Sequence, residues 1–314
     1  MDKAKEFLNI FPDKMKGFWE RASKEADDID EVRIRINNPI VVSLKGKEFF
    51  LTPGGQFTGN IKEARLITGE EIDGILHHIC KCSVYAFGDE LKEGYITVPG
   101  GHRIGLAGEV VVDEKGQIIT IKYVTFMNIR ISHQILGVAD SVICFLCEND
   151  TVKNSLIVSP PGCGKTTMLR DVVRQISKGS YKRRAFKVGV VDERNEIAGG
   201  YKGMPQNDLG PRTDVLSCLS KKQAMLMLIR SMSPEVLALD EIGDKEDVEA
   251  ILYAIKCGVS IIATIHARDK EELLKKPYIE KLLSEGGFER MIFLGKEDGK
   301  CIVKNKMTVR ELYD

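Results

Sequence analysis

Apolar residues Phe7, Leu8, Ile10, Phe11, Met15, Phe18 and Trp19 recur at roughly helical spacing up to about Ala26, interrupted by Pro12, which predicts one or two amphipathic helices. The pattern then shortens. VRIRI (32–36) and IVVSL (40–44) flank the turn-forming Asn37-Asn38-Pro39, and KEFFL follows a glycine, so short antiparallel strands are expected. Helical periodicity returns in GEEIDGILHHICKCSVYAF, with Thr68 placed to cap the first turn and acids behind it. Strands resume at GYITVP, RIGLAGEVVV and QIITIKYVTFMNIR. Residues 1–135 therefore read as an α+β domain.

From about residue 136 short apolar runs alternate with longer helical stretches. The candidate strands are SLIVS (155–159), FKVGVVD (186–192), VLALD (236–240), SIIATIH (260–266) and RMIFLG (290–295). Near-continuous β-branched runs joined by helices belong to a parallel sheet covered on both faces. A short connection near Ser132 to Asp140 separates this second domain, 136–314, from the first.

Composition narrows the possible partners. Forty-six basic side chains balance 46 acidic ones, so any nucleic-acid or lipid contact would need a local patch rather than bulk charge. No run approaches the ~20 apolar residues that span a bilayer, and the charged N-terminus lacks the apolar core of a secretory signal. The eight cysteines are scattered, which points to a reduced, cytosolic setting. Cys144 and Cys147 form a lone CxxC within SVICFLC and read as buried thiols, while Cys80, Cys82, His77 and His78 point in different directions along a helix and read as ordinary core and surface residues.

The chemistry lies in the second domain. After SLIVS come Ser159, Pro160, Pro161, Gly162, Cys163, Gly164, Lys165, Thr166 and Thr167, and then the helical MLRDVVRQIS. This is a phosphate-binding loop in its strand, loop, helix context, with Ser159 where the first glycine usually stands. Glycines let backbone N–H groups turn toward phosphate oxygens, and the helix N-terminus faces the same anion. Lys165 would reach the β and γ phosphates of ATP, and Thr166 would supply a hydroxyl to Mg²⁺.

Such a loop needs an acidic partner on another strand, and the run Val236–Leu239 ends at Asp240-Glu241. Asp240 then binds Mg²⁺ through water, and Glu241 polarises the water that attacks the γ phosphate. A second acidic strand end, Asp192-Glu193-Arg194, converges on the same crevice, so Glu193 competes with Glu241 for the role of base, with Glu241 preferred. Thr264 and His266 end a further strand, where His266 is better suited to sensing the γ phosphate than to taking a proton. Arg130, Arg194, Arg212 and Arg230 are candidates for an arginine that reaches the γ phosphate, in cis or from a neighbour, and Arg212 in LGPRTDVL is the foremost.

The stretches SPPGCGKTTMLRD, VVDERNEIAG, VLALDEIG, ATIHA and GYITVPGGHRIGLAGE together resemble the stage III sporulation AA family of endospore-forming bacteria, over nearly the whole chain. That resemblance implies a relative of the secretion-system traffic ATPases, with a RecA/AAA-like P-loop core preceded by a smaller α+β domain. It implies a homo-oligomeric ring, a hexamer, with nucleotide between subunits and an arginine supplied by the neighbour. It also implies a cytoplasmic mother-cell protein that energises membrane-embedded channel proteins facing the forespore, and it leaves open whether Asp240 or Glu241 meets the metal. A nucleic-acid-associated P-loop ATPase is the alternative; the balanced charge and the lack of an aromatic stacking cluster weigh against it.

Overall fold

The computed structural model describes residues 3–80, 94–180, 183–217, 220–297 and 300–313. They fall into two units: residues 1–133 with Gly199–Gln206, and residues 134–198 with 207–314.

In the first unit, Pro12 takes an extended conformation and separates α1 (Lys3–Leu8) from α2 (Asp13–Ser23), as a residue without an N–H and with fixed φ does at a helix start. The buried Phe7, Phe11, Met15, Trp19 and Ala22 form the inward stripe, and Phe11 stacks on Trp19 with ring centroids 4.0 Å apart. They cover a seven-stranded sheet built from β1 (Ile29–Arg35), β2 (Val41–Leu44), β3 (Lys47–Leu51), β4 (Phe57–Thr58), β5 (Tyr95–Val98), β6 (His102–Val112) and β7 (Ile118–Arg130). Its order is β4-β3-β2-β1-β7-β6-β5, and every neighbouring pair is antiparallel. Helix α3 (Gly69–Ile79) starts at a reciprocal cap between Thr68 and Glu71 and turns Ile72, Ile75 and Ile79 into the same core. The remainder of that helical stretch, residues 81–93 with Cys82, lies outside the described residues. Among the described residues, no cluster of three or more His, Cys, Asp or Glu side chains could hold a metal ion.

The stretch Gly100-Gly101-His102 has a structural use. His102 is buried, and its Nδ1 accepts the Ser132 backbone N–H at 3.0 Å, which leaves the ring proton on Nε2. Gly100 has φ +88, and a Cβ there would stand 2.7 Å from that Nε2, so only glycine fits. Burial, together with the charges of Lys3 and His133, pushes the His102 pKa down to about 4, while Glu6 stands 3.9 Å away. Because the folded value lies below the ordinary value of about 6.5, the native ring stays neutral where the unfolded ring takes a proton. Stability is therefore lost as pH falls from about 6.5 toward about 4, a loss of about 3 kcal/mol. Urea-unfolding midpoints of the full chain should drop across this window, and His102→Gln should flatten the drop; an unchanged slope in the variant would assign the acid lability to other groups.

The segment Gly199–Gln206 packs with the first unit, although it follows the second unit's strands in sequence. Gln206 Oε1 accepts the Gly100 N–H at 2.9 Å, and the base of the excursion is closed by Asn207 N–H donating to Ala198 O. A single boundary at 135/136 omits this return.

The second unit's sheet contains β8 (Ser155–Ser159), β9 (Val188–Asp192), β10 (Thr213–Ser217), β11 (Val236–Leu239), β12 (Ser260–His266), β13 (Arg290–Glu297) and β14 (Lys300–Thr308). The order is β10-β9-β11-β12-β8-β13-β14, with all pairs parallel except β13 and β14. That last pair departs from the expected all-parallel sheet because Glu297 pairs with Lys300, and so short a connection returns the chain only antiparallel. Strands β10 and β14 are edges, half-buried or exposed, and carry too weak an apolar run to be read in advance.

Residues alternate between two cores. Leu156, Val158, Leu237, Leu239, Ile261 and Ala263 face one, with α5 (Lys221–Met232), α6 (Lys245–Lys256) and α7 (Pro277–Ser284). Ile157, Val236, Ala238 and Ile262 face the other, with α4 (Lys165–Lys178). Helices on both faces explain why β8, β9 and β11 are buried along their whole length and largely apolar. The short helix Ile143–Leu146 turns Ile143 and Leu146 inward, which leaves Cys144 exposed and Cys147 half-buried rather than both buried.

Candidate functional site

Strand β8 delivers the chain into the loop Ser159–Thr167. Gly162 and Gly164 adopt φ +69 and +76, and Gly164 is the residue from which α4 starts. A Cβ on Gly164 would also approach the Cys301 sulfur to 3.2 Å, so strain and crowding both demand glycine. Ser159 is fully buried, with its hydroxyl donating to Pro160 O at 2.9 Å. Pro161 and Gly162 are exposed at the turn, Cys163 is buried, and Thr166 and Thr167 are half-buried on the first turn of α4.

The strand order fixes what surrounds this loop. Strand β12 lies between β8 and β11, so the residues ending β12 stand between the loop and the acids that end β11. Lys165, the first residue of α4, is largely buried, with Nζ 3.0 Å from Nε2 and 3.2 Å from Nδ1 of His266. His266 Nε2 is in turn 3.5 Å from Glu241 Oε2. The buried Thr264 donates its hydroxyl to Asp240 Oδ1 at 3.2 Å and orients that carboxylate. Burial lowers the Lys165 pKa, and the charges of Asp240, Glu241 and Glu196 act against that fall. Loop, lysine, histidine and the two acids thus meet at the carboxyl ends of parallel strands, where such sheets place their ligands.

Glu193 behaves differently. Its carboxylate is taken up by Lys221 at 2.9 Å, and Lys221 also reaches Asp247 at 3.2 Å. Burial pulls the Lys221 pKa down, but the bonds and charges of these two acids outweigh it and leave it raised. The neighbouring Asp192 is fully buried and accepts the backbone N–H groups of Glu196, Ile197 and Ala198, so it shapes the loop; its burial raises its pKa. The carboxylate of this stretch that bears on Lys165 is Glu196, which the sequence reading passed over. Arg170, on the turn of α4 beyond Thr167, holds that region by donating to Glu196 O at 2.8 Å and Ile197 O at 2.9 Å. The sign that could have singled out Glu196 is its position, four residues beyond Asp192, whose carboxylate accepts the Glu196 N–H.

Arg212 is not brought to the site of its own chain. Its backbone N–H donates to Ser177 Oγ at 2.7 Å, and its Nη1 donates to Ser177 O at 3.2 Å. Ser177 is at the far end of α4, ~18 Å along the helix from Lys165 at 1.5 Å per residue. Arg212 therefore satisfies carbonyl and hydroxyl groups at the helix C-terminus, where a cation is favoured.

Beside the loop lies a cavity of about 780 Å³, contained within the second unit. Ile135, Val138, Thr167 and Met168 line it, together with Cys301 and Val303 of β14. Its apolar walls and volume suit a heterocyclic base with its sugar. The oxygen donors at hand, the Thr166 hydroxyl and the Asp240 carboxylate, are of the hard type that holds magnesium together with substrate phosphates, so the residues fit that ion.

The family model for "Sporulation stage III, protein AA" matches residues 1–311. The chain is 39% identical over 310 residues to stage III sporulation protein AA of Bacillus subtilis (strain 168), covering 98% of this chain and 94% of that protein. It is 28% identical over 239 residues to the uncharacterised protein ycf45 of Cyanidium caldarium, covering 74% of this chain and 64% of the other. Among solved structures, the Legionella pneumophila ATPase DotB superposes with a TM-score of 0.57 at 14% identity, covering 95% of this chain and 80% of that one. The pilus retraction motor PilT, solved with bound ADP, gives 0.60 at 15% identity and covers 94% and 84%. At such identities these likenesses speak to fold: an ATPase-type core preceded by an N-terminal domain. The chain belongs to the sporulation stage III protein AA family.

Proposed function

We propose that this protein is an ATPase that binds Mg·ATP at the loop Ser159–Thr167 and hydrolyses it within a homo-oligomeric ring, energising a membrane-embedded channel during sporulation. The observation that carries this reading is the meeting of Lys165, His266, Glu241 and Asp240 beside a helix N-terminus and a base-sized cavity.

In this reading Lys165 exchanges its contact with His266 for the β and γ phosphates, and the loop N–H groups of Gly162 to Thr166 receive their oxygens. Thr166 and Asp240 would hold Mg²⁺, which supplies neutralisation of phosphate charge. Glu241 orients the attacking water and accepts its proton, and the contact with His266 supports this choice over Glu193, which Lys221 occupies. His266, released from Lys165 when nucleotide enters, becomes a sensor of occupancy at the end of β12. Arg212 points away from its own site, whereas the charge of Arg194 bears on Lys165 of the same chain; an arginine reaching the γ phosphate is then Arg194 in cis or one from a neighbouring subunit, with Arg130, Arg212 and Arg230 as the candidates. Among the described residues no helix is long and apolar enough to cross a membrane, so contact with the channel runs through partner proteins.

Sedimentation velocity tests the ring. With Mg·ATP the protein should run as an assembly of about six protomers. A species that binds ATP fully yet stays monomeric at every concentration would remove the ring from this account.

A further inference from the structure

The hairpin of β13 and β14 closes over the phosphate loop from outside. Lys296 and Cys301 face each other across the two strands. From that pair, the Lys296 Nζ lies 3.9 Å from where a Cβ on Gly162 would be, and the Cys301 sulfur lies 3.2 Å from the corresponding point on Gly164. The same sulfur is 4.0 Å from Gly162 O. Cys301 is exposed, lines the 780 Å³ cavity and shares it with a second thiol, the buried Cys163 of the loop itself. Lys300 and Lys306 line the same cavity. A free thiol that solvent can reach thus stands against the backbone that turns toward phosphate, among ammonium groups that draw anionic reagents.

We propose that Cys301 is a thiol-modification site that switches the nucleotide site off: a mixed disulfide on its sulfur fills the cavity and excludes nucleotide. This rests on the ATP-binding reading above. The reactant is a low-molecular-weight disulfide carrying carboxylates. The Cys301 thiolate attacks one of its sulfurs, a new S–S bond forms as the old one breaks, and the departing thiolate takes up the proton that Cys301 released. Cys301 is oxidised and the leaving sulfur reduced, so no other oxidant is needed, and any small thiol reverses the step. The attached group would lie at the cavity that Cys301 lines, beside the loop whose Gly162 O is 4.0 Å from the sulfur. Cys163 is shielded by burial and reacts slowly.

The test uses the full-length protein, oxidised glutathione as the probe disulfide, and a fluorescent ATP analogue to read binding. Mass spectrometry of treated protein should place the adduct on Cys301, saturating Mg·ATP should slow its formation, and the fully modified protein should bind the analogue at least about tenfold more weakly. Dithiothreitol should restore binding. In Cys301→Ser, whatever its starting affinity, treatment should leave binding as it was. Undiminished binding by fully modified wild type would overturn the inference alone, as would an equal loss in Cys301→Ser. Untreated protein that binds no analogue would instead overturn the ATP-binding reading and this inference with it.

Discussion

Lys165→Ala is expected to weaken ATP binding by about 10²-fold while the fold persists. The ammonium is carried by the first residue of α4, is largely buried, and contacts His266, which in turn touches Glu241. An ammonium paired with phosphate in a site shielded from water contributes about 3 kcal/mol, which corresponds to about two decades in affinity. A second effect adds to the first. Asp240, Glu241 and Glu196 all bear on Lys165, so its loss removes a counter-charge that these three carboxylates share. Isothermal titration calorimetry reads the loss directly, and circular dichroism checks that α4 and its sheet remain. An alanine variant that bound ATP as tightly as wild type would detach Lys165 from the phosphates.

Glu241→Gln is expected to keep ATP bound and to stop turnover, lowering steady-state phosphate release by about 10²- to 10⁴-fold. An amide can still orient water by hydrogen bonding, but it cannot accept the proton. Binding should be retained, and slightly strengthened, because one negative charge is removed from the surroundings of the γ phosphate. Glu193→Gln supplies the contrast: its carboxylate bonds Lys221, so its loss should perturb the α5 contact with Asp247 and leave most of the hydrolysis. If Glu193→Gln were inactive and Glu241→Gln hydrolysed normally, the base would be reassigned.

Much of this site was readable before any coordinates. The phosphate loop combines a local conformational demand, two glycines at positive φ, with a chemical one, a lysine at a helix start, and both are written in consecutive residues. The acids Asp240-Glu241 and the histidine His266 were legible because each ends a strand buried on both faces, and buried parallel strands announce themselves as apolar runs. Placing His266 between Lys165 and Glu241 needed the strand order, which no local pattern encodes.

Other features were hidden for physical reasons. Arg212 looked like a projecting loop arginine, yet its guanidinium bonds a carbonyl at the far end of α4, a contact between residues 35 apart. Glu196 was overlooked because the buried Asp192 curls the loop back by accepting three N–H groups, a turn made by tertiary burial rather than by turn residues. Strand β14 mixes three lysines and an asparagine with short apolar stretches at a sheet edge, so its pattern resembles that of a surface loop. The excursion Gly199–Gln206 is held by a bond from Gly100 to Gln206, across 106 residues.

The central claim is that Lys165, Asp240 and Glu241 form one ATP-hydrolysing centre. Continuous measurement of phosphate release from Mg·ATP by the purified, assembled protein tests it most directly. The account predicts steady release in wild type that vanishes without Mg²⁺ and is abolished in both Lys165→Ala and Glu241→Gln. Release that continued undiminished in both variants, or its complete lack in an assembled wild-type protein with ATP bound, would contradict it.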